Sequence, residues 1–419
     1  MSDSYFIKIF HSHKRRILIS LFAILLAFTL ILKTCKPDSD DLKQLVKDEL
    51  ARVDQLSESD LPENIAEKAG MPVKSLLDIL EQGSELDRGL KFLAEKRYDE
   101  AILRFKEYAE KDGTGQSLFY LGNALYCKGE YPRASEAFRK SAENDPGSFF
   151  TWYNWGMALK NSDRYEEAIE KYQEAAKFRP DDVDTRYNWG IALNALGRYE
   201  EAMKKYREVI KYRPGHADTW NNWGTALNGL GRYEQAIEKY HEAVKLRPDH
   251  VNARSNWGVT LNILGRYEEA AEKYREAAKF GPGRGDVWYN WGIALNALGR
   301  YEEAIEKYRE ATEYRKDDAD AWSNWGVALK NLGRYEEAIE KYQNSVKIRP
   351  GDADAWNNWG VALNALGRYQ EAMKKYQEAI KHEPNHIHAW NNWGVALKNL
   401  GRCYKEALAG YQEAIKERE

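Results

Sequence analysis

The tripeptide Asn-Trp-Gly occurs eight times in this chain at a constant spacing of 34 residues. Its asparagine lies at Asn154, Asn188, Asn222, Asn256, Asn290, Asn324, Asn358 and Asn392. A fixed period of this length is produced by one supersecondary unit that stacks on copies of itself. Most of the 419 residues are therefore predicted to form a repeat array and not a globular enzyme domain.

Each repeat carries the pattern of two helices joined by a turn. In residues 149–182 two groups of apolar side chains show helical spacing: Trp152, Trp155 and Leu159, then Tyr165, Ile169 and Tyr172. Residues at this spacing share one helical face. Most repeats place Gly-Arg-Tyr between the two groups, and glycine readily adopts the left-handed conformation that ends a helix. The repeat is predicted to be a helical hairpin, and the fold class is all-α.

Counting from residue 149 as position 1, the repeat has Trp at position 4, Gly at 8, Tyr at 17, Ala at 20, Tyr at 24, Ala at 27 and Pro at 32. This pattern resembles the tetratricopeptide repeat (TPR). The resemblance implies a right-handed superhelix whose first helices line a concave groove. The array covers residues 82–419 with about ten repeats, of which 82–114 is degenerate and 34-residue units start at 115. The last unit has an extra residue, Cys403, in its turn.

The 14 tryptophans all fall at positions 4 and 7 of these repeats. Their helical phase puts them on the same face as the Gly at position 8. We therefore expect all of them to pack in the core of the hairpins.

The asparagine of Asn-Trp-Gly stands at position 6, on the face of the first helix opposite the tryptophans. An Asn amide both donates and accepts hydrogen bonds, so a row of them can hold the main chain of an extended peptide. The row resembles the asparagine ladder in the superhelix of O-GlcNAc transferase, although no catalytic domain of that family has a counterpart here. The eight asparagines are the candidate peptide-binding residues. The alternative is that they bond only to neighbouring helices and stiffen the array.

The amino-terminal part contains a 16-residue apolar run, 17–32, between Arg16 and Lys33. Such a run spans about 24 Å as a helix, and the flanking cations can extend to the membrane surfaces. We expect a short amino terminus at 1–16, a transmembrane anchor at 17–32 and an acidic helical stalk at 33–81. A cleaved signal peptide and a lipid-modified Cys35 are the alternatives for this segment.

The basic residues before the apolar run outnumber those directly after it, where acidic residues follow. By the positive-inside rule the amino terminus stays in the cytoplasm. The repeat array would then lie on the opposite side of the membrane, in the periplasm if the source is bacterial.

Charge and cysteine content exclude several classes of function. The net charge is −3 with no basic block, so nucleic-acid binding is not expected. The three cysteines are far apart and form no metal-binding spacing. We expect no catalytic residues, no metal site and no cofactor.

The sequence thus predicts a membrane-anchored TPR scaffold that binds proteins or extended peptides and is not an enzyme. One alternative is a substrate-recruiting subunit of a separately encoded transferase or assembly machinery. A weaker one is an anchored import-type receptor with its repeats in the cytosol. Because the pattern ends inside a second helix, self-association through an uncapped carboxy-terminal helix is also expected.

Overall fold

A computed structural model describes residues 47, 77, 80–81 and 83–416, with the backbone alone for 402–404 and 406–416. Every regular element within 83–416 is an α-helix. The all-α fold predicted from the period is confirmed for these residues, which form a solenoid of helical hairpins.

Nineteen helices follow one another in residues 83–416. They are α1 (Glu85–Ala94), α2 (Tyr98–Asp112), α3 (Gly115–Cys127), α4 (Tyr131–Asn144), α5 (Phe149–Lys160), α6 (Tyr165–Phe178), α7 (Val183–Ala195), α8 (Tyr199–Tyr212), α9 (Ala217–Gly229), α10 (Tyr233–Leu246), α11 (Val251–Ile263), α12 (Tyr267–Phe280), α13 (Gly285–Ala297), α14 (Tyr301–Tyr314), α15 (Ala319–Asn331), α16 (Tyr335–Ile348), α17 (Ala353–Ala365), α18 (Tyr369–His382) and α19 (Ile387–Lys416). The helices α1 to α18 pair into nine hairpins. The chain divides into two compact bodies, Met1–Val209 and Ile210–Glu419.

The interior of each hairpin from α5 to α18 is a contact between a glycine and a tyrosine, and in the first two hairpins phenylalanine takes the place of the tyrosine. In repeat 319–352 a Cβ on Gly326 would lie 2.7 Å from Cε1 of Tyr342, so only glycine fits at position 8. The tyrosine at position 24 is fully buried in each of these repeats, at Tyr172, Tyr206, Tyr240, Tyr274, Tyr308, Tyr342 and Tyr376. The alanines at positions 20 and 27, such as Ala304 and Ala311, are also inaccessible. The first and second helices are therefore held together by close packing of small residues around one ring.

The turn between the helices uses glycine for a different reason. Gly197, Gly231, Gly265, Gly299, Gly333 and Gly367 have φ values between 72° and 75°. This left-handed conformation is nearly free of strain in glycine alone. The predicted role of the Gly-Arg-Tyr turn is thus seen in the structure.

The tryptophans differ from the expectation of a buried core. Those at positions 4 and 7 are partly buried, and Trp390 is 47% exposed. The reason is that the close Gly–Tyr contact fills the centre of the hairpin and leaves the indole rings at its flank. In repeat 319–352 the rings of Trp322 and Trp325 stack at 5.4 Å between centroids. Several of the tryptophans, such as Trp291 and Trp359, pack against the core clusters, so the predicted contact with the core is confirmed there and the expectation of full burial was wrong.

The last helix also differs from the expected hairpin. Residues 387–416 form one 30-residue helix, α19, although the sequence there contains the Gly401-Arg402 turn signal. The extra Cys403 separates this signal from Tyr404 and shifts all following residues by one position. In the structure the helix continues through this signal and no turn forms in α19.

The predicted amino terminus, anchor and nearly all of the stalk lie outside the described residues. Among the residues that the structure does describe, no helix combines the length and apolar character needed to cross a membrane.

Candidate functional site

The eight predicted asparagines all lie on first helices, or in α19 on the segment that corresponds to one. Asn154 and Asn188 are buried, with 0% and 6% of their surface exposed, and the other six are partly buried. Their amides are thus less open than a row of fully exposed ligand-binding groups would be.

Most of these amides bond to the neighbouring repeat. Four of them donate from Nδ2 to the residue at position 5 of the preceding repeat, at distances between 2.9 and 3.2 Å. The four pairs are Asn188 with Tyr153, Asn256 with Asn221, Asn324 with Tyr289 and Asn392 with Asn357. We call this set of bonds the amide ladder. Each bond joins two consecutive first helices, which is the stiffening role that the sequence left open as the alternative.

Two lysines at position 12 also donate hydrogen bonds to asparagines of the row. Lys160 donates to Oδ1 of Asn188 at 2.8 Å, and Lys330 donates to Oδ1 of Asn358 at 3.1 Å. Burial lowers the pKa of Lys330. Both lysines place an amine within hydrogen-bonding distance of the asparagine row.

The remaining three asparagines differ among themselves. Asn154 donates to Oδ1 of Asn123 at 2.9 Å, and Asn222 accepts from Nδ2 of its neighbour Asn221 at 3.1 Å. Asn290 is partly buried, and its amide makes no hydrogen bond to any residue that the structure describes. It is the member of the row with the most hydrogen-bonding capacity left for another molecule.

The acidic residues at position 2 are largely paired with cations. Arg284 contacts both oxygens of Asp286 at 2.8 Å, and Arg349 contacts those of Asp320 at 2.8 and 3.0 Å. Hydrogen bonding to His250 and to Arg247 lowers the pKa of Asp218 well below its usual range.

His386 lies 3.1 Å from Asp354, so a fourth aspartate of this set also faces a side chain that can carry positive charge. The rim of the first-helix face is therefore less acidic than its sequence suggests.

A second repeated feature lies on the flank of the hairpins. In seven repeats the lysine at position 23 places Nζ over the ring of the position-7 tryptophan, between 3.6 and 5.2 Å from its centroid. The pairs run from Lys171 with Trp155 to Lys375 with Trp359. This is the geometry of a cation–π interaction. The lysine covers indole surface that would otherwise face water.

Sequence reasoning missed the partners of the asparagines. The position-5 residues alternate among Tyr, Asn and Ser, so they show no constant signal from one repeat to the next. The spacing of 35 residues between donor and acceptor was the available clue, because it is one residue more than the period. It becomes meaningful only once the helices are known to lie side by side.

The fold and this face define an α-helical repeat scaffold. Family models described as TPR repeat match residues 156–197 and 292–333, and others described as tetratricopeptide repeat match 184–216, 221–285 and 324–387. Together they cover most of residues 156–387. A model of anaphase-promoting complex, cyclosome, subunit 3, matches residues 94–175. The chain belongs to the tetratricopeptide repeat family.

Solved structures that are similar to part of this chain include YrrB, described as a TPR protein with an unusual peptide-binding site. It is 25% identical, and the match covers 44% of this chain and 96% of YrrB with a TM-score of 0.41. A MamA structure is 24% identical over 40% of this chain and 92% of its own, with a TM-score of 0.39.

The match to the Cut9–Hcn1 hetero-tetramer structure of APC/C is 16% identical, with a TM-score of 0.47, over 86% of this chain and 90% of that chain. No curated protein matches the chain. A TPR array of this kind is a scaffold suited to binding proteins or peptides, and the fold is typical of proteins without catalytic activity.

Proposed function

We propose that this protein is a membrane-anchored, noncatalytic scaffold that holds an extended peptide against its first helices, in the concave groove of the array. The observation that carries the proposal is the recurrence of a partly buried asparagine on these helices, with one of them, Asn290, left unbonded between bonded neighbours. A peptide main chain offers the N–H and C=O groups that such an amide can satisfy.

The amide ladder supports the same proposal in a second way. A ligand loses less affinity to ordering costs when its site is already rigid. Hydrogen bonds between consecutive first helices hold the neighbouring asparagines in fixed orientations. The bonded asparagines would then hold the first helices in position, and Asn290 would form a direct hydrogen bond with the peptide.

A peptide array of random sequences, probed with the full-length protein in detergent, tests whether the scaffold binds extended chains. Bound peptides are then titrated against the Asn290→Ala variant, which should weaken binding about tenfold because one or two hydrogen bonds are lost. The matched control is Gln343→Ala, which removes an exposed amide from a second helix. Equal affinities of wild type and Asn290→Ala would refute a role for Asn290 in binding, and an absence of bound peptides would refute the function.

The anchor at residues 17–32 and the side of the membrane are further parts of the proposal. The apolar run and its basic flank support a span with the amino terminus in the cytoplasm. Protease added to sealed, right-side-out vesicles should digest the repeats only if they lie outside. Protected repeats would favour the import-type receptor with its array in the cytosol.

The alternative of a substrate-recruiting subunit shares the same groove and differs in its partner. A transferase activity that copurifies with the full-length protein, and that is lost with the Asn290→Ala variant, would support it. Self-association is proposed as well, because apolar side chains of α19 such as Ile387 are exposed.

A further inference from the structure

The first half of α19 has almost the same sequence as a first helix that forms a hairpin. Residues 390–402 differ from residues 322–334 only at Asn391, which corresponds to Ser323. In the earlier repeat the chain turns at Gly333, whose φ is 75°. In α19 the helix continues through the corresponding glycine to Lys416.

The missing turn leaves one side of α19 uncovered. A Cβ on Gly394 would meet no atom within 4 Å, whereas one on Gly326 would lie 2.7 Å from the ring of Tyr342. Leu397 is 50% exposed, although the equivalent Leu329 is 1% exposed. This side of α19 therefore has the shape and the apolar character of a first helix without its second helix.

The sequence that would cover this side is present later in α19. Tyr404, Ala407, Tyr411 and Ala414 have the residue types of positions 17, 20, 24 and 27, which are the second-helix positions in other repeats. Gly394 and Tyr411 are 17 residues apart on one helix. That separation is about 25 Å along the axis, so this tyrosine cannot reach this glycine within the same helix.

We propose that two copies of the chain exchange the second half of α19. Residues 404–416 of each copy then pack on residues 387–400 of the other, and the two long helices run antiparallel around a two-fold axis. Each contact reproduces the hairpin interior of an ordinary repeat, which is how domain swapping forms dimers at little cost. The inference rests on the proposed self-association and is independent of peptide binding.

Sedimentation equilibrium of the full-length protein in a density-matched detergent tests the exchange. The wild type should be a dimer. Deletion of Cys403 restores the 34-residue register, so the hairpin closes within its own chain and the dimer should weaken by at least about tenfold. Cys403→Ser keeps the additional residue and should remain dimeric.

A second variant separates the two conformations without changing the register. Gly401→Ala suits a continuous helix and disfavours a left-handed turn, so the exchanged dimer should be as tight as that of the wild type or tighter. A weaker dimer in Gly401→Ala would overturn the exchange.

The other outcomes distinguish the related proposals. A monomeric wild type would overturn both self-association and exchange. A deletion variant that dimerises as tightly as the wild type would overturn the exchange and leave self-association standing. A monomeric Cys403→Ser variant would show that a disulfide joins the copies, contrary to the exchange. Peptide affinity, measured on the same samples, reports separately on the proposed function.

Discussion

The inside of a hairpin and the seam between two first helices are held together by different chemistry. Inside repeat 319–352, Gly326 and Tyr342 meet in a fully buried contact with no space for a larger residue. Between repeats, Asn324 donates one hydrogen bond to Tyr289 in a partly buried place. Close packing is sensitive to a single methyl group, while a single hydrogen bond contributes about 1 kcal/mol. A hairpin therefore tolerates fewer substitutions at its interior positions than the seam between consecutive first helices does.

The largest effect is expected from a change inside the hairpin. Gly326→Val should lower the free energy of unfolding by about 3 kcal/mol, because the new side chain overlaps the ring of Tyr342. Gly351→Val is the control, since a Cβ there meets no atom within 4 Å. Urea denaturation followed by circular dichroism measures both. An equal loss of unfolding free energy in the two variants would show that the Gly–Tyr contact is no more sensitive to a larger side chain than the open position at Gly351.

A change in the seam should have an intermediate effect. Asn324→Ala removes the bond to Tyr289 and should cost about 1 kcal/mol of stability. Asn290→Ala, at the same repeat position, should change stability by less than about 0.5 kcal/mol, because its amide has no bond to lose among the described residues. The same denaturation experiment compares them, and a larger loss for Asn290 would contradict the assignment of the amide ladder.

The smallest effect is expected at the charged rim. Hydrogen bonding to His250 and Arg247 lowers the pKa of Asp218 in the folded protein. Its stabilising contribution is therefore present above the unfolded pKa of about 3.9 and is lost as the pH falls through the folded value. Asp218→Asn should reduce stability at pH 6 by less than about 1 kcal/mol, and this difference should shrink on acidification below about pH 4.

The control for this pair is Asp249→Asn, which removes the same charge from an exposed residue that has no ion pair among the described residues. Thermal unfolding at pH 6 and pH 3 gives the comparison. A difference between wild type and Asp218→Asn that grows on acidification would show that the sign of this linkage is wrong.

The hairpins were predictable because their signals are local and repeated. The left-handed turn at Gly333 follows from the sequence Gly-Arg-Tyr, and the helix faces follow from spacing. The position of the tryptophans was not predictable from helical phase alone. Phase shows which side of a helix faces its partner, and it does not show that Tyr342 takes the centre while Trp322 stays at the flank.

The sequence predicted that the candidate asparagines lie on the first helices, and it predicted only part of their hydrogen bonding. Asn290 and Asn324 have the same neighbours in sequence on one side, yet only Asn324 bonds to the preceding repeat. Position 5 of the preceding repeat is Tyr289 for Asn324 and the shorter Ser255 for Asn290, so the difference lies in the residue that the preceding repeat offers as acceptor. The continuous α19 was missed because one inserted residue changes the register of everything that follows it.

The lysines over the indole rings have a consequence for how the protein responds to its surroundings. Each such pair contributes about 0.5–1 kcal/mol at a partly exposed place. Seven repeats have one, from Lys171 to Lys375. Acetylation would remove the positive charge of these amines. The stability of stacked repeats is approximately the sum of the stabilities of the repeats and of their interfaces. Acetylation of one lysine would be too weak to unfold a hairpin, whereas acetylation of all seven would lower the stability of the whole array enough to unfold it.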